Sequence, residues 1–164
     1  MRSRRRSSAA ASLRGMGRVV EINIAAEHGA PCEPVERIDV LPGQGIVGER
    51  HFLPEPAERD GNDLTLIDRA AVEAFVAETD VPLTAAETRR NVVTEGIDVN
   101  ALVGKRFRIG EVECRGAVLC EPCNYLQGHL GKPVLKGLVH RAGLNADVLT
   151  AGTIAPGDEL VVLD

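Results

Sequence analysis

Glycine and proline, 17 and 9 of the 164 residues, cut this chain into short pieces from residue 17 onward. Between the cuts, apolar and polar residues alternate. Segments 18–25 (RVVEINIA) and 35–41 (VERIDVL) carry the period-two pattern of a strand with one buried face. Residues 64–67 (LTLI) form another short strand-like run. Residues 91–94, 107–109 and 112–119 predict a β-meander, and 144–149 and 160–163 predict closing strands. Helical spacing is rarer. Asp68 predicts the cap of a helix over 69–79, with Ala71, Val72, Phe75 and Val76 on one face and Pro82 beyond its end. Pro122 suits the first turn of a helix running towards Leu130, with a further helical piece at 134–139. Many short strands with two or three helices predict a mainly β, barrel-like single domain over residues 17–164.

Residues 1–16 read as a disordered N-terminal extension, because the Arg/Ser/Ala-rich start lacks the apolar stretch of a secretory signal. Five of the 19 basic residues lie in 1–15, leaving 14 against 24 acidic ones in the body, a net charge of −10. That balance speaks against a nucleic-acid partner, which needs a basic face. The scarcity of aromatics (three Phe, one Tyr, no Trp) speaks against base-stacking platforms. No apolar run reaches the ~18–20 residues of a membrane span, so no membrane partner is expected. The acidity is uneven. Residues 89–141 hold 9 basic against 5 acidic groups, a net of +4. Such a strip suits a small anionic ligand.

Four cysteines are too few for a disulfide scaffold, so a reducing, cytoplasmic location is expected. Three of them, Cys114, Cys120 and Cys123, fall within ten residues. Cys120-Glu121-Pro122-Cys123 stands where a strand gives way to a helix, and unpaired backbone N–H groups there favour a thiolate. Three chemistries compete. A zinc site could recruit Cys114, His129 or His140, although no second C-x-x-C or H-x-x-x-H pair accompanies it. A thioredoxin-like dithiol wants a βαβ setting, which the pattern does not offer. A single soft thiolate on a molybdenum centre is the third. Two packed core cysteines are the structural alternative. Elsewhere, Gly45–Ile46 opens a glycine-rich turn presenting Arg50 and His51. Arg89-Arg90-Asn91 opens a strand with guanidinium groups suited to phosphate, and His140-Arg141 offers another anion contact.

In order along the chain, these motifs resemble those of the MOSC domain family, small stand-alone bacterial type. Residues 45–51 (GIVGERH) resemble its G-x-x-G-D-R-H segment, with Glu49 where Asp is usual. Residues 89–92 (RRNV) resemble its R-x-N-[IV] strand. Residues 101–104 (ALVG), with Ile109-Gly110, resemble the L-x-G…x-G continuation. Cys123 falls at the family's cofactor-binding cysteine, and 138–158 resemble the closing segment. The resemblance implies a β-barrel with a pocket for the molybdenum cofactor (molybdopterin). It implies Cys123 as metal-ligating or sulfur-carrying thiolate, Arg89 and Asn91 as holders of the pterin or its phosphate, and Arg50, His51 and Arg141 at the pocket rim. It further implies either reduction of a small N-hydroxylated substrate or a carrier role using a persulfide. No haem, flavin, iron–sulfur or pyridoxal-phosphate motif is visible, so a separate electron-donor protein or cysteine desulfurase is the expected partner.

Overall fold

A computed structural model describes residues 16–58 and 61–164 of the chain. The expected N-terminal extension therefore lies outside the described residues, apart from Met16, which already belongs to a strand. Seven strands close a barrel: β1 (Met16–Ile24), β5 (Leu64–Asp68), β6 (Val92–Glu95), β7 (Arg106–Ile109), β8 (Val112–Leu119), β9 (Leu144–Val148) and β11 (Glu159–Val162). Their order around the wall is β1-β6-β5-β9-β8-β7-β11, and Met16 opposite Val161 completes the ring. β2 (Glu33–Pro34) extends the far end of β1. β3 (Ile38–Leu41), β4 (Gly45–Ile46) and β10 (Gly152–Ile154) form a small second sheet. Ile38, Val40, Ile46 and Ile154 of that sheet are buried in the barrel's own core, beside Ile22, Leu66, Phe107 and Leu144.

The strand patterns report which faces are covered. In β7, Arg106 and Arg108 are exposed while Phe107 and Ile109 are buried, the signature of a wall with one wet face. β5 and β6 instead bury successive residues: Leu66 and Val92 inward, Ile67 and Val93 outward beneath helix α1 (Arg69–Thr79). These two strands are the parallel pair of the barrel, joined across α1, and a strand covered on both faces becomes an apolar run. The helix starts as expected. The Asp68 carboxylate accepts from Ala70 N at 3.1 Å, and Val72 and Phe75 are its buried residues. Among the described residues, no helix is long and apolar enough to cross a membrane.

Three expectations need correction. The middle of the chain is not one meander, because β6 inserts between β1 and β5. The antiparallel run is β7-β8-β9. Pro122 also stands just before helix α2 (Asn124–Leu130), whose N-cap is Cys123. The piece at 134–139 makes one helical-type bond, Leu138 N to Val134 O, and remains a turn.

Cys114 faces the barrel interior opposite Phe107, and burial pushes its thiol from 9.0 up to about 12. A raised thiol pKa holds full stability below pH 9 and loses it as the pH rises towards 12, since the unfolded chain ionises first. Three units at about 1.4 kcal/mol each give about 4 kcal/mol over that window. Urea unfolding in reductant at pH 8 and pH 10.5 should show a steep fall for the wild type and a shallower one for Cys114→Ala. Equal slopes would contradict this account.

Candidate functional site

Three segments distant in sequence meet at one end of β6. The first enters from the turn after β4. Glu49 is 7% exposed, accepts from Ala25 N at 2.8 Å, and pairs with the Arg50 guanidinium at 2.8 Å. Arg50 N donates to Ala25 O at 2.9 Å, and its Nη1 reaches the Cys32 sulfur at 3.8 Å. The carboxylate at position 49 thus holds both the loop and the arginine. The sequence marked it only as a departure from the usual Asp.

The second segment is Arg89-Arg90-Asn91, which follows a 3-10 turn at Ala86–Thr88. Arg89 takes a left-handed φ of 63°, a strained conformation for a side chain of this size. Its Nη1 donates to Ala30 O at 2.7 Å and lies 3.3 Å from His129 Nε2. Its Nη2 is buried and has no partner among the described residues. Arg90 is wholly committed to backbone. It donates to Ala142 O (2.7 Å), Thr88 O (3.1 Å), and the carbonyls of Cys120 and Glu121 (both 3.3 Å). Asn91 is a stitch between strands. Its Oδ1 accepts from Thr65 N and Oγ1 at 3.1 and 3.0 Å, and its Nδ2 donates to Asn23 O at 3.2 Å.

The third segment is the cysteine loop between β8 and α2. Cys120 N donates to Gly143 O at 2.8 Å, and Arg90 grips the loop from below. All four cysteines are free. Burial raises the thiol pKa of Cys120, and that of Cys32 against the opposing pull of Arg89 and Arg50. Cys123 alone is exposed.

These segments enclose adjoining hollows. A cavity of about 210 Å³ is lined by Glu49, Arg50, His51, Arg89, Arg90, Asn91 and Cys120, among others. A second, of about 200 Å³, shares Arg50, His51, Arg89 and Arg90, and adds His28, Cys123 and Tyr125. A third, of about 390 Å³, holds Cys32 and His129 and shares Arg89. Glu49 balances Arg50, whereas the partners of Arg89 and Arg90 are neutral carbonyls and an imidazole. The three cavities are thus lined by Arg50, Arg89 and Arg90 against the carboxylates of Glu49, Asp63 and Glu87, the last paired with Lys132, so positive charge is concentrated at Arg89 and Arg90, where low dielectric strengthens it.

Of the residues singled out in the sequence, Arg50, His51, Arg89, Asn91 and Cys123 converge here. Asn91 lines the cavity, but its acceptor and a donor are spent on neighbouring strands. Arg141 does not join them. Its guanidinium pairs with Glu78 of α1 at 2.5 Å and donates to Gly137 O at 2.7 Å, away from the cavities. The zinc alternative also finds no assembly: Cys114 is in the barrel core and His140 Nδ1 pairs with Glu121 at 2.8 Å. Among the described residues no three His, Cys, Asp or Glu are grouped to hold a metal ion. A βαβ unit does exist, β5-α1-β6, but the C-x-x-C follows β8 and lies outside it. The basic strip of 89–141 is not the site as such, since only Arg89 and Arg90 of its nine cations line these three cavities.

The fold and site together are a closed, mainly β barrel with an arginine-lined, thiol-edged cavity. The chain belongs to the MOSC domain family, whose model matches residues 50–161. Among solved structures, the YuaD protein from Bacillus subtilis superposes with a TM-score of 0.77 at 17% identity, over 90% of this chain and 95% of its own. YiiM from Geobacillus stearothermophilus gives 0.68 at 18% identity, covering 90% of this chain and 75% of that one. YiiM from Escherichia coli gives 0.62 at 16%, covering 90% and 70%. Likeness at such identities speaks for the fold alone. No curated protein matches the chain by sequence.

Proposed function

We propose that this MOSC protein binds the molybdenum cofactor in the cavity system around Arg89 and uses it to reduce N-hydroxylated compounds. The observation that carries the proposal is the Arg89 Nη2, a buried charged donor with no partner among the described residues. Leaving such a group unmatched is costly, and a phosphate oxygen is its natural complement. The donor set suits the group: a guanidinium for phosphate, and an exposed thiol, Cys123, on the same cavity wall for a soft metal. When bound, the cofactor supplies two-electron oxygen-atom transfer.

The protein's own residues have separate duties. Arg89 holds the anionic end. Arg50, fixed by the buried Glu49, presents its guanidinium donors without needing to reorganise. Arg90 ties the Cys120–Cys123 loop, through the carbonyls of Cys120 and Glu121, to those of Thr88 and Ala142. In the net reaction R–NHOH takes two electrons and two protons to give R–NH2 and water, with a separate reductase as the electron donor. A second reading draws on the exposure of Cys123, which leaves it open to a partner protein. In it, Cys123 carries a persulfide received from a cysteine desulfurase. Thiol mass spectrometry after incubation with a desulfurase distinguishes the two.

Protein purified from a molybdenum-replete host should contain molybdenum and pterin. Cys123→Ala should lower the molybdenum content at least tenfold, as expected for loss of a ligand when even its supporting groups are worth 10–100-fold. Arg141→Ala should load like the wild type. Wild-type protein lacking both metal and pterin, or undiminished loading in Cys123→Ala, would overturn the assignment.

A further inference from the structure

The chain has one Tyr, no Trp and four His, yet its polar rings are not scattered. Tyr125 and His51 line the cavity that holds Cys123, together with His28. His28 and His51 meet edge to face, with centroids 5.2 Å apart. His129 stacks on Tyr125 at 5.8 Å and 21°. Only His140 lies apart, paired with Glu121. Tyr125 is nevertheless 59% exposed, so the imidazole backs one face of the phenol while the ring stays open. A ring held from behind and bare in front is a preorganised stacking surface.

We propose that Tyr125 is a specificity-determining residue. Its ring receives the planar, conjugated part of the substrate, so that N-hydroxylated compounds carrying an aromatic or heteroaromatic ring bind better than small aliphatic ones. The assignment rests on the reading above that chemistry occurs beside Cys123, and it adds the part of the ligand lying away from the reacting N–O bond. The Arg50 and Arg89 guanidiniums on the same cavity favour the electron-rich or anionic end of such a ligand. The His28–His51 pair supplies a second ring wall.

Because Tyr125 is the sole Tyr in a chain without Trp, it is the only strong intrinsic fluorophore. Titration of the purified protein with benzohydroxamate should quench its emission saturably, beyond the quenching of free N-acetyltyrosinamide, and acetohydroxamate should not. By calorimetry, Tyr125→Phe should bind benzohydroxamate within about twofold of wild type, and Tyr125→Ala roughly five- to tenfold more weakly, as the loss of one stacked ring predicts. In the metal- and pterin-loaded enzyme with reduced viologen as donor, Tyr125→Ala should raise KM for benzohydroxamate by the same factor. It should leave kcat and the acetohydroxamate KM unchanged. Absence of saturable quenching, equal quenching by both probes, or equal weakening of both in Tyr125→Ala would overturn the proposal. If loaded wild type reduces neither probe while ring-selective quenching persists, the reductase reading fails and the ring site stands.

Discussion

Arg90→Met should lower the stability of the fold by about 3 kcal/mol or more, although position 90 makes no ion pair among the described residues. The guanidinium satisfies the carbonyls of Thr88, Cys120, Glu121 and Ala142, and methionine would fill much of its volume while leaving those acceptors bare. Each unsatisfied buried acceptor costs about 1–3 kcal/mol, discounted where cavity water can reach it. For a chain of this size the loss corresponds to a fall of about 6–12 °C in Tm. Arg90→Lys should be intermediate, because one ammonium on a flexible stem cannot span carbonyls from three segments. The effect should extend to the site. Two of those carbonyls belong to the loop that presents Cys123, so molybdenum content should fall although Arg90 is not assigned to the ligand. A Tm within 2 °C of wild type would show that the four bonds are not holding the loop.

Gly143→Ala should be at least as damaging, at about 4 kcal/mol or more. Gly143 has φ +113°, a region that L side chains rarely adopt, and a Cβ there would lie 2.2 Å from the Leu66 carbonyl oxygen. Leu66 and Leu144 are cross-strand partners, so relief of that clash must pry β9 from β5 and open the barrel seam. The Gly143 carbonyl also accepts the Cys120 N–H, which couples the seam to the cysteine loop. The expected readouts are a poor yield of soluble protein and early thermal unfolding. Gly128→Ala is the control. Apart from its chain neighbours and the backbone of its own helix, no described atom lies within 4 Å of its Cβ position, and removing a glycine from the interior of α2 should be neutral or stabilising by up to about 1 kcal/mol. Similar behaviour of the two variants would refute the steric argument.

Together the two substitutions locate the support of the candidate site behind its surface residues. Arg90 and Gly143 hold the cysteine loop, and Glu49 holds Arg50. None of the three stands out in the sequence as a support. Arg90 is visible there only as the neighbour of Arg89, and Glu49 only as a substitution for Asp. Tyr125 carries no local signal beyond being the lone Tyr. Glu49 and Arg90 gain their roles from partners 24 or more positions away, Ala25 and Ala142, whereas Tyr125 is backed by His129 from the next turn of its own helix.

The sequence by itself determined the local choices. Alternation specified β1 and β3, because a strand with one wet face must repeat every two residues. Asp68 and the apolar face after it specified α1. The motifs pointed to Arg50, His51, Arg89, Asn91 and Cys123 as residues of one site; in the structure Arg50, His51 and Arg89 line two adjoining cavities, Asn91 lines one of them and Cys123 the other. Tertiary structure decided the rest. Strand order is a non-local property, so β6 could enter between β1 and β5 without a mark in its own residues. The free or spent state of a polar group is equally non-local. Asn91 is consumed by Thr65 and Asn23, and Arg141 is drawn off by Glu78, while Arg89 keeps one buried donor unmatched. A sequence records which donors and acceptors exist. Only the packed chain determines which of them are already satisfied, and a ligand can bind only to those that are not.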